Sequence, residues 1–229
     1  MCGRYTLRRI DLASSGLDAA PEPAFEEFTE RPRFNIAPSQ EIPVVRVNRD
    51  GGRAIGLARW GLIPHWAKAL PKAQPINARA ETVVTSGMFK QAFARRRCVV
   101  PADGFYEWRK LDARTKQPMF VHFPDERVFG FAGLWERWRP AGDPGAEPVD
   151  TCTIITTTPN RLMAPIHDRM PVILRPEDYG VWLDREADPR AAAGLMRPYP
   201  DGELEAVPVD RLVNSPKNDV PECVRSLAE

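Results

Sequence analysis

Most of the chemistry this chain can offer starts at Cys2. It follows Met1 and precedes Gly3, and a side chain as small as cysteine's lets an aminopeptidase remove the initiator. The trimmed chain would begin with a 1,2-aminothiol. Its α-amine titrates near 8, so part of it is neutral at pH 7 and adds to carbonyl carbon. The thiol, two carbons away, is a second nucleophile. With an aldehyde the amine gives an imine, and the sulfur then closes a five-membered thiazolidine, which persists where a simple imine hydrolyses. A short buried terminus without chemistry also explains a cysteine at this position, so Cys2 needs partners.

Three segments supply candidates. Asp103-Gly104-Phe105-Tyr106-Glu107-Trp108 sets Glu107 between aromatics on a strand-like run. A carboxyl in such surroundings resists ionisation and suits a general acid near neutral pH. An outward-facing strand glutamate beside Arg109 and Lys110 is the other reading. Ile166-His167-Asp168-Arg169 puts a histidine in a polar turn before a strand, a suitable place for an acid–base group, although lone histidines are often structural. Asn77-Ala78-Arg79-Ala80-Glu81 offers an amide to orient an amine and a guanidinium to grip a phosphate.

Such groups need a scaffold, and the pattern is rich in strands. Strand-like runs cover 42–47, 53–60, 97–100, 104–110, 119–123, 128–138, 151–157, 172–174 and 205–209, with a hairpin turn at 48–52. Helices are expected after Ser86, where Phe89 and Phe93 share a face, and from Pro176-Glu177-Asp178. Residues 139–148 read as an exposed loop. The expected fold is a single α+β domain over 1–229, a mixed, partly closed, barrel-like sheet with a few flanking helices.

Composition narrows the function. The 229 residues contain no apolar run long enough to span a membrane and no secretion-type leader, which points to a cytoplasmic protein. Four widely spaced cysteines and three scattered histidines give no disulfide framework and no metal site. No phosphate-binding glycine loop indicates a nucleotide cofactor. The net charge of +1 hides an asymmetry: residues 46–110 carry 13 basic and four acidic side chains. A basic stretch holding Trp60, Trp66 and Trp108 fits single-stranded nucleic acid, with tryptophans as stacking platforms. Trp60 is expected in the core, Trp66 and Trp108 at the nucleic acid. Trp135, Trp138 and Trp182 are expected to be structural, and Cys98 and Cys152 to be buried thiols.

Taken together, MCGRY at 1–5, RFNIAPSQ at 33–40, RWGLIPHWAK at 59–68, INARAET at 76–82, RRCVVPADGFYEW at 96–108, TTTPN at 156–160, IHDRMPVIL at 166–174 and VNSPKND at 213–219 resemble the SRAP (SOS-response-associated peptidase) family. The eight segments run in family order across nearly the whole chain. The resemblance implies action on abasic sites in single-stranded DNA by a monomer without cofactor. Cys2, freed of Met1, is then the nucleophile that captures the ring-opened sugar aldehyde as a thiazolidine crosslink. Asn77 orients the terminal amine. Glu107 assists sugar opening and imine chemistry, and His167 moves protons at the sugar and helps reversal. Arg4, Arg79 and Arg169 are expected near phosphates. The family also implies removal of its own Met1 and an abasic-site lyase activity. Two other functions fit parts of the sequence: an N-terminal-nucleophile glutamine amidohydrolase, which explains Cys2 but not the basic tryptophan-bearing stretch, and a non-catalytic single-strand binding module.

Overall fold

The computed structural model describes residues 2–10, 12–28, 31–48, 50–141 and 145–227. In chain order the elements are β1 (Tyr5–Leu7), β2 (Ala20–Pro21), α1 (Pro23–Phe28), β3 (Arg33–Ile36), β4 (Glu41–Val47), β5 (Arg53–Trp60), β6 (Asn77–Arg79), α2 (Ala80–Val83), α3 (Lys90–Arg95), β7 (Arg97–Ala102), β8 (Gly104–Lys110), β9 (Lys116–His122), β10 (Phe129–Trp138), β11 (Val149–Thr157), β12 (Met170–Pro171), β13 (Ile173–Leu174), α4 (Tyr179–Leu183), α5 (Pro189–Gly194) and β14 (Glu205–Pro208). Short 3₁₀ turns cover Pro176–Asp178, Arg211–Asn214 and Pro221–Val224.

Two sheets organise them. In one, β10, β7, β4, β5 and β11 close on themselves: the ladder runs β11–β10–β7–β4–β5, and β5 pairs back onto β11 in parallel. The other is five-stranded, in the order β14-β9-β8-β1-β3. This is the mixed, barrel-like sheet with few helices that the pattern predicts.

Period-two alternation decides what each face meets. On β7, Cys98, Val100 and Ala102 join the cluster that includes Tyr5, Phe105 and Val121 of the five-stranded sheet. Val99, between them, turns to the cluster holding Phe93, Trp182 and Leu183 from the helices. The expected core residues Trp60, Cys98, Cys152 and Trp182 are fully buried, and Trp138 nearly so; Trp135 is half-buried, with Arg46 4.6 Å above its ring.

Local differences from expectation have simple causes. The run 172–174 divides into β12 and β13, because Val172 pairs its backbone with Ala132 and Ile155 instead of continuing one ladder. Ser86 heads a turn, with its hydroxyl accepting from Met88 N–H, and α3 starts only at Lys90. The expected helix opening at 176–178 is a 3₁₀ turn leading into α4. Arg49 of the 48–52 turn and residues 142–144 of the 139–148 loop lie outside the described residues.

One interruption matters for the site. β5 pairs with the first part of β11 (Arg59 with Thr151, Trp60 with Cys152), the chain leaves as a loop over 61–76, and it returns as β6 beside the second part (Asn77 with Ile154). The loop is pinched at its base by Leu62 N–H donating to Pro75 C=O and by Trp60 Nε1 donating to Ile76 C=O. Gly61 makes the departure at φ +137°, where a Cβ would sit 3.2 Å from Gln74 Cβ.

Candidate active site

β1 carries the N-terminal segment into the five-stranded sheet between β8 and β3. Asp103 fixes it there. Its buried carboxylate accepts from Thr6 Oγ1 (2.5 Å), Arg8 N–H (2.7 Å) and Arg9 N–H (3.2 Å). Cys2, just ahead of this strand, is fully buried. Asn77, at the start of β6, donates from Nδ2 to Cys2 C=O at 2.9 Å. Its Oδ1 is buried and accepts no hydrogen bond from the described residues.

Glu107 comes from β8 on the face it shares with Phe105. It is 2% exposed, and burial pushes its carboxyl up to about 7, with the Asp168 charge adding to the rise. The Cys2 thiol is pushed far above its ordinary value, first by burial and then by the Glu107 charge, while the Arg4 backbone N–H pulls the other way. The thiol is therefore protonated at neutral pH, and Glu107 is near enough for its charge to be felt there.

His167 closes the site. Its Nε2 lies 4.0 Å from Glu107 Oε2, and the ring is 27% exposed, so it stands at the mouth. Nδ1 accepts from Arg169 N–H (3.1 Å) and lies 3.0 Å from Asp168 Oδ1. With Nδ1 accepting, the neutral ring carries its proton on Nε2, facing Glu107. Burial lowers the His167 pKa, and the neighbouring Asp168 charge works against that.

The structure brings Cys2, Asn77, Glu107 and His167 together, and sets the expected cations and aromatics around them unequally. Arg79 caps α2 next to Asn77, exposed and in no ion pair among the described residues. Arg169 lies against the same helix, its guanidinium gripping both oxygens of Glu81 (2.7 and 2.9 Å) and Thr156 C=O (2.6 Å). Trp66 is 57% exposed on the 61–76 loop. Its neighbours are anchored: His65 Nδ1 lies 3.1 Å from the buried Glu136 carboxylate, and Ala67 C=O accepts from Trp138 Nε1. Arg4 and Trp108 lie elsewhere. Trp108 follows Glu107 on β8 and so leaves the opposite face, packing beside Tyr106 and Val213. Arg4 goes with it, donating to Asn35 Oδ1 and Val213 C=O.

Asp103, Glu81 and Glu136 hold the site together without standing out in the sequence. Asp103 and Glu81 sit inside motif segments, and a carboxylate directly after an apolar strand or opposite an arginine is the available signal. Glu136, deep in β10, has none.

A family model described as SOS response associated peptidase (SRAP) matches residues 1–216, so the chain belongs to that family. A protein named Abasic site processing protein YoqW, from Bacillus subtilis strain 168, is 43% identical over 99% of this chain and all of its own length. One named Abasic site processing protein HMCES, from Gallus gallus, is 34% identical over 98% of this chain and 77% of its own. Among solved structures, a Bacteroides thetaiotaomicron protein superposes with a TM-score of 0.86 at 25% identity, over 98% of this chain and 99% of that one.

Proposed function

We propose that this protein processes abasic sites in single-stranded DNA by covalent capture at Cys2. The observation that carries the reading is the convergence of Asn77, Glu107 and His167 on a buried Cys2. The names borne by the relatives point to abasic sites.

The chemistry runs in five steps. Loss of Met1, by an aminopeptidase or by the chain itself, frees the Cys2 amine, and the unpartnered Asn77 Oδ1 accepts a hydrogen bond from the amine N–H and orients the lone pair. The abasic sugar is mostly a closed hemiacetal, so it must be opened first. His167 at the mouth, in its imidazolium form, delivers its Nε2 proton to the ring oxygen and becomes neutral, while the Glu107 carboxylate takes the C1′ hydroxyl proton, and the free aldehyde results. The amine then adds to C1′, giving a carbinolamine. Glu107, about half protonated at pH 7, donates to the departing hydroxyl, which leaves as water and gives the iminium. Glu107, now a carboxylate, takes the thiol proton while sulfur adds to C1′, and the five-membered ring closes. The thiol needs no low pKa, because its base is beside it. An iminium that loses a C2′ proton before sulfur adds leads to β-elimination, which gives a lyase activity, and the reverse sequence through the same groups releases the DNA.

Intact mass of the purified protein, alone and after mixing with an abasic single-stranded oligonucleotide, tests this. The expected result is loss of Met1 and a heat-stable one-to-one adduct. Cys2→Ser should give no heat-stable adduct, only an imine trapped by borohydride. The same heat-stable adduct from Cys2→Ser would refute the thiazolidine, and a Met1-free protein that forms no adduct would refute the capture.

A further inference from the structure

One nitrogen at the mouth of the site has two partners that ask opposite things of it. His167 Nδ1 lies 3.1 Å from the Arg169 backbone nitrogen and 3.0 Å from Asp168 Oδ1. The backbone N–H only donates, so it pairs with a bare Nδ1. The carboxylate only accepts, so it pairs with a protonated one. The turn that carries both partners is fixed independently of the ring. His167 N–H donates to Met163 C=O, the Arg169 guanidinium grips Glu81 and Thr156 C=O, and Met170 enters β12 opposite Thr157. The Asp168 side chain is 88% exposed, so water reaches it freely.

These partners support every protonation state of the ring at one orientation. With Nδ1 bonded to Arg169 N–H, the neutral ring keeps its proton on Nε2, 4.0 Å from Glu107 Oε2. A proton from solvent acid arriving at Nδ1 makes the imidazolium, and the Nδ1 hydrogen bond passes from Arg169 to the Asp168 carboxylate. Delivery of the Nε2 proton to the sugar ring oxygen leaves a neutral ring of the other tautomer, with Nδ1–H still on Asp168 and Nε2 bare. One proton has entered at Nδ1 and one has left at Nε2. That tautomer is a base at Nε2, the form that the reverse reaction requires. Burial opposes the charged ring, as do the amine at the chain terminus and Lys116 at the start of β9, while Asp168 favours it. Glu107 faces Nε2 from β8, and the Arg169 guanidinium is turned away to Glu81 on α2.

We propose that Asp168 is a positioning residue of the capture reaction: by taking the Nδ1 hydrogen bond of the charged ring, it lets His167 act as acid and then as base with Nε2 held toward Glu107. This rests on the reading of His167 as the proton donor in abasic-site capture. Asp168 acts through the ring and not on the sugar. An aspartate that merely solvates the turn would be indifferent to the charge on His167.

The test compares Asp168→Asn with wild type, both freed of Met1. Asparagine keeps the size and loses the charge, and a position this exposed tolerates it. Histidine-ring NMR against pH, without DNA, reads His167 directly; the signal lost in His167→Gln identifies it among the three histidines. Its midpoint is expected to fall by about half a unit, the size an exposed pair carries. Capture of an abasic single strand is then followed in single turnover at saturation. On the alkaline side of the pH profile the variant should be about threefold slower, because less of its ring is charged. At about pH 5 it should reach or exceed the wild-type rate, since the ring is charged without help there and Glu107 ionises more readily. An unchanged midpoint would overturn the proposal. So would a slowing equal at every pH, which is what a purely structural role predicts. A wild type that forms no adduct would instead refute the Cys2 reading, and the ring titration, read without DNA, would still report whether Asp168 holds Nδ1.

Discussion

Glu107→Gln isolates the property on which the proposed chemistry depends, a carboxyl kept near neutrality by burial. The side chain is 2% exposed, and its pKa stands at about 7 against an ordinary 4.5. Each unit is about 1.4 kcal/mol, so the ionised form costs the folded state about 3 kcal/mol. The sign follows from linkage: a folded-state pKa above the unfolded one means stability that is present below pH 4.5 and lost as pH rises to 7. Glutamine has nearly the same shape and no charge to bury. The stability difference, variant minus wild type, should therefore grow by about 3 kcal/mol between pH 4.5 and pH 7.5 and stay level above that. Urea unfolding of both proteins at half-unit intervals reads it directly, and taking the difference cancels every other titrating group they share. A pH-independent difference would refute the reasoning, since it would mean that Glu107 ionises in the fold as it does in water. The same variant should capture abasic DNA at least tenfold more slowly at pH 7 if Glu107 supplies the proton for loss of water.

Asn77→Ala removes the donor to Cys2 C=O and the acceptor for the amine; capture should slow at least tenfold while stability falls by about 1 kcal/mol, measured by single-turnover crosslinking and urea unfolding. Equal rates would show that the amine needs no orientation. Gly61→Ala forces a side chain into φ +137° and against Gln74, and should cost about 1–3 kcal/mol in thermal unfolding. A neutral effect would mean that the base of the Trp66 loop can relax. Arg79→Ala, which removes an exposed cation beside Asn77, should weaken single-strand binding and lower the salt slope by about 0.7; an unchanged slope would remove Arg79 from the phosphate path.

How much of this could be read from residues alone differs between fold and site. The apolar runs along 97–100 and 128–138 are enough to identify strands, because a strand buried on two sides shows as a near-continuous apolar segment. The closure of the barrel is not visible in that way. It depends on β11 pairing first with β5 and then with β6 across a sixteen-residue excursion, and only the glycine at position 61 marks where the chain leaves. At the site, residue type marked Cys2, Asn77, Glu107 and His167 as candidates, each with a structural alternative, and the family resemblance joined them into one set. Residue type could not tell that adjacent Glu107 and Trp108 serve opposite faces of one sheet, although period two implies it once the strand is granted. Trp108 therefore packs with Arg4 and the C-terminal 3₁₀ turn rather than beside Cys2, and the pairing of a general acid with a neighbouring stacking platform that the segment suggests is split between two faces.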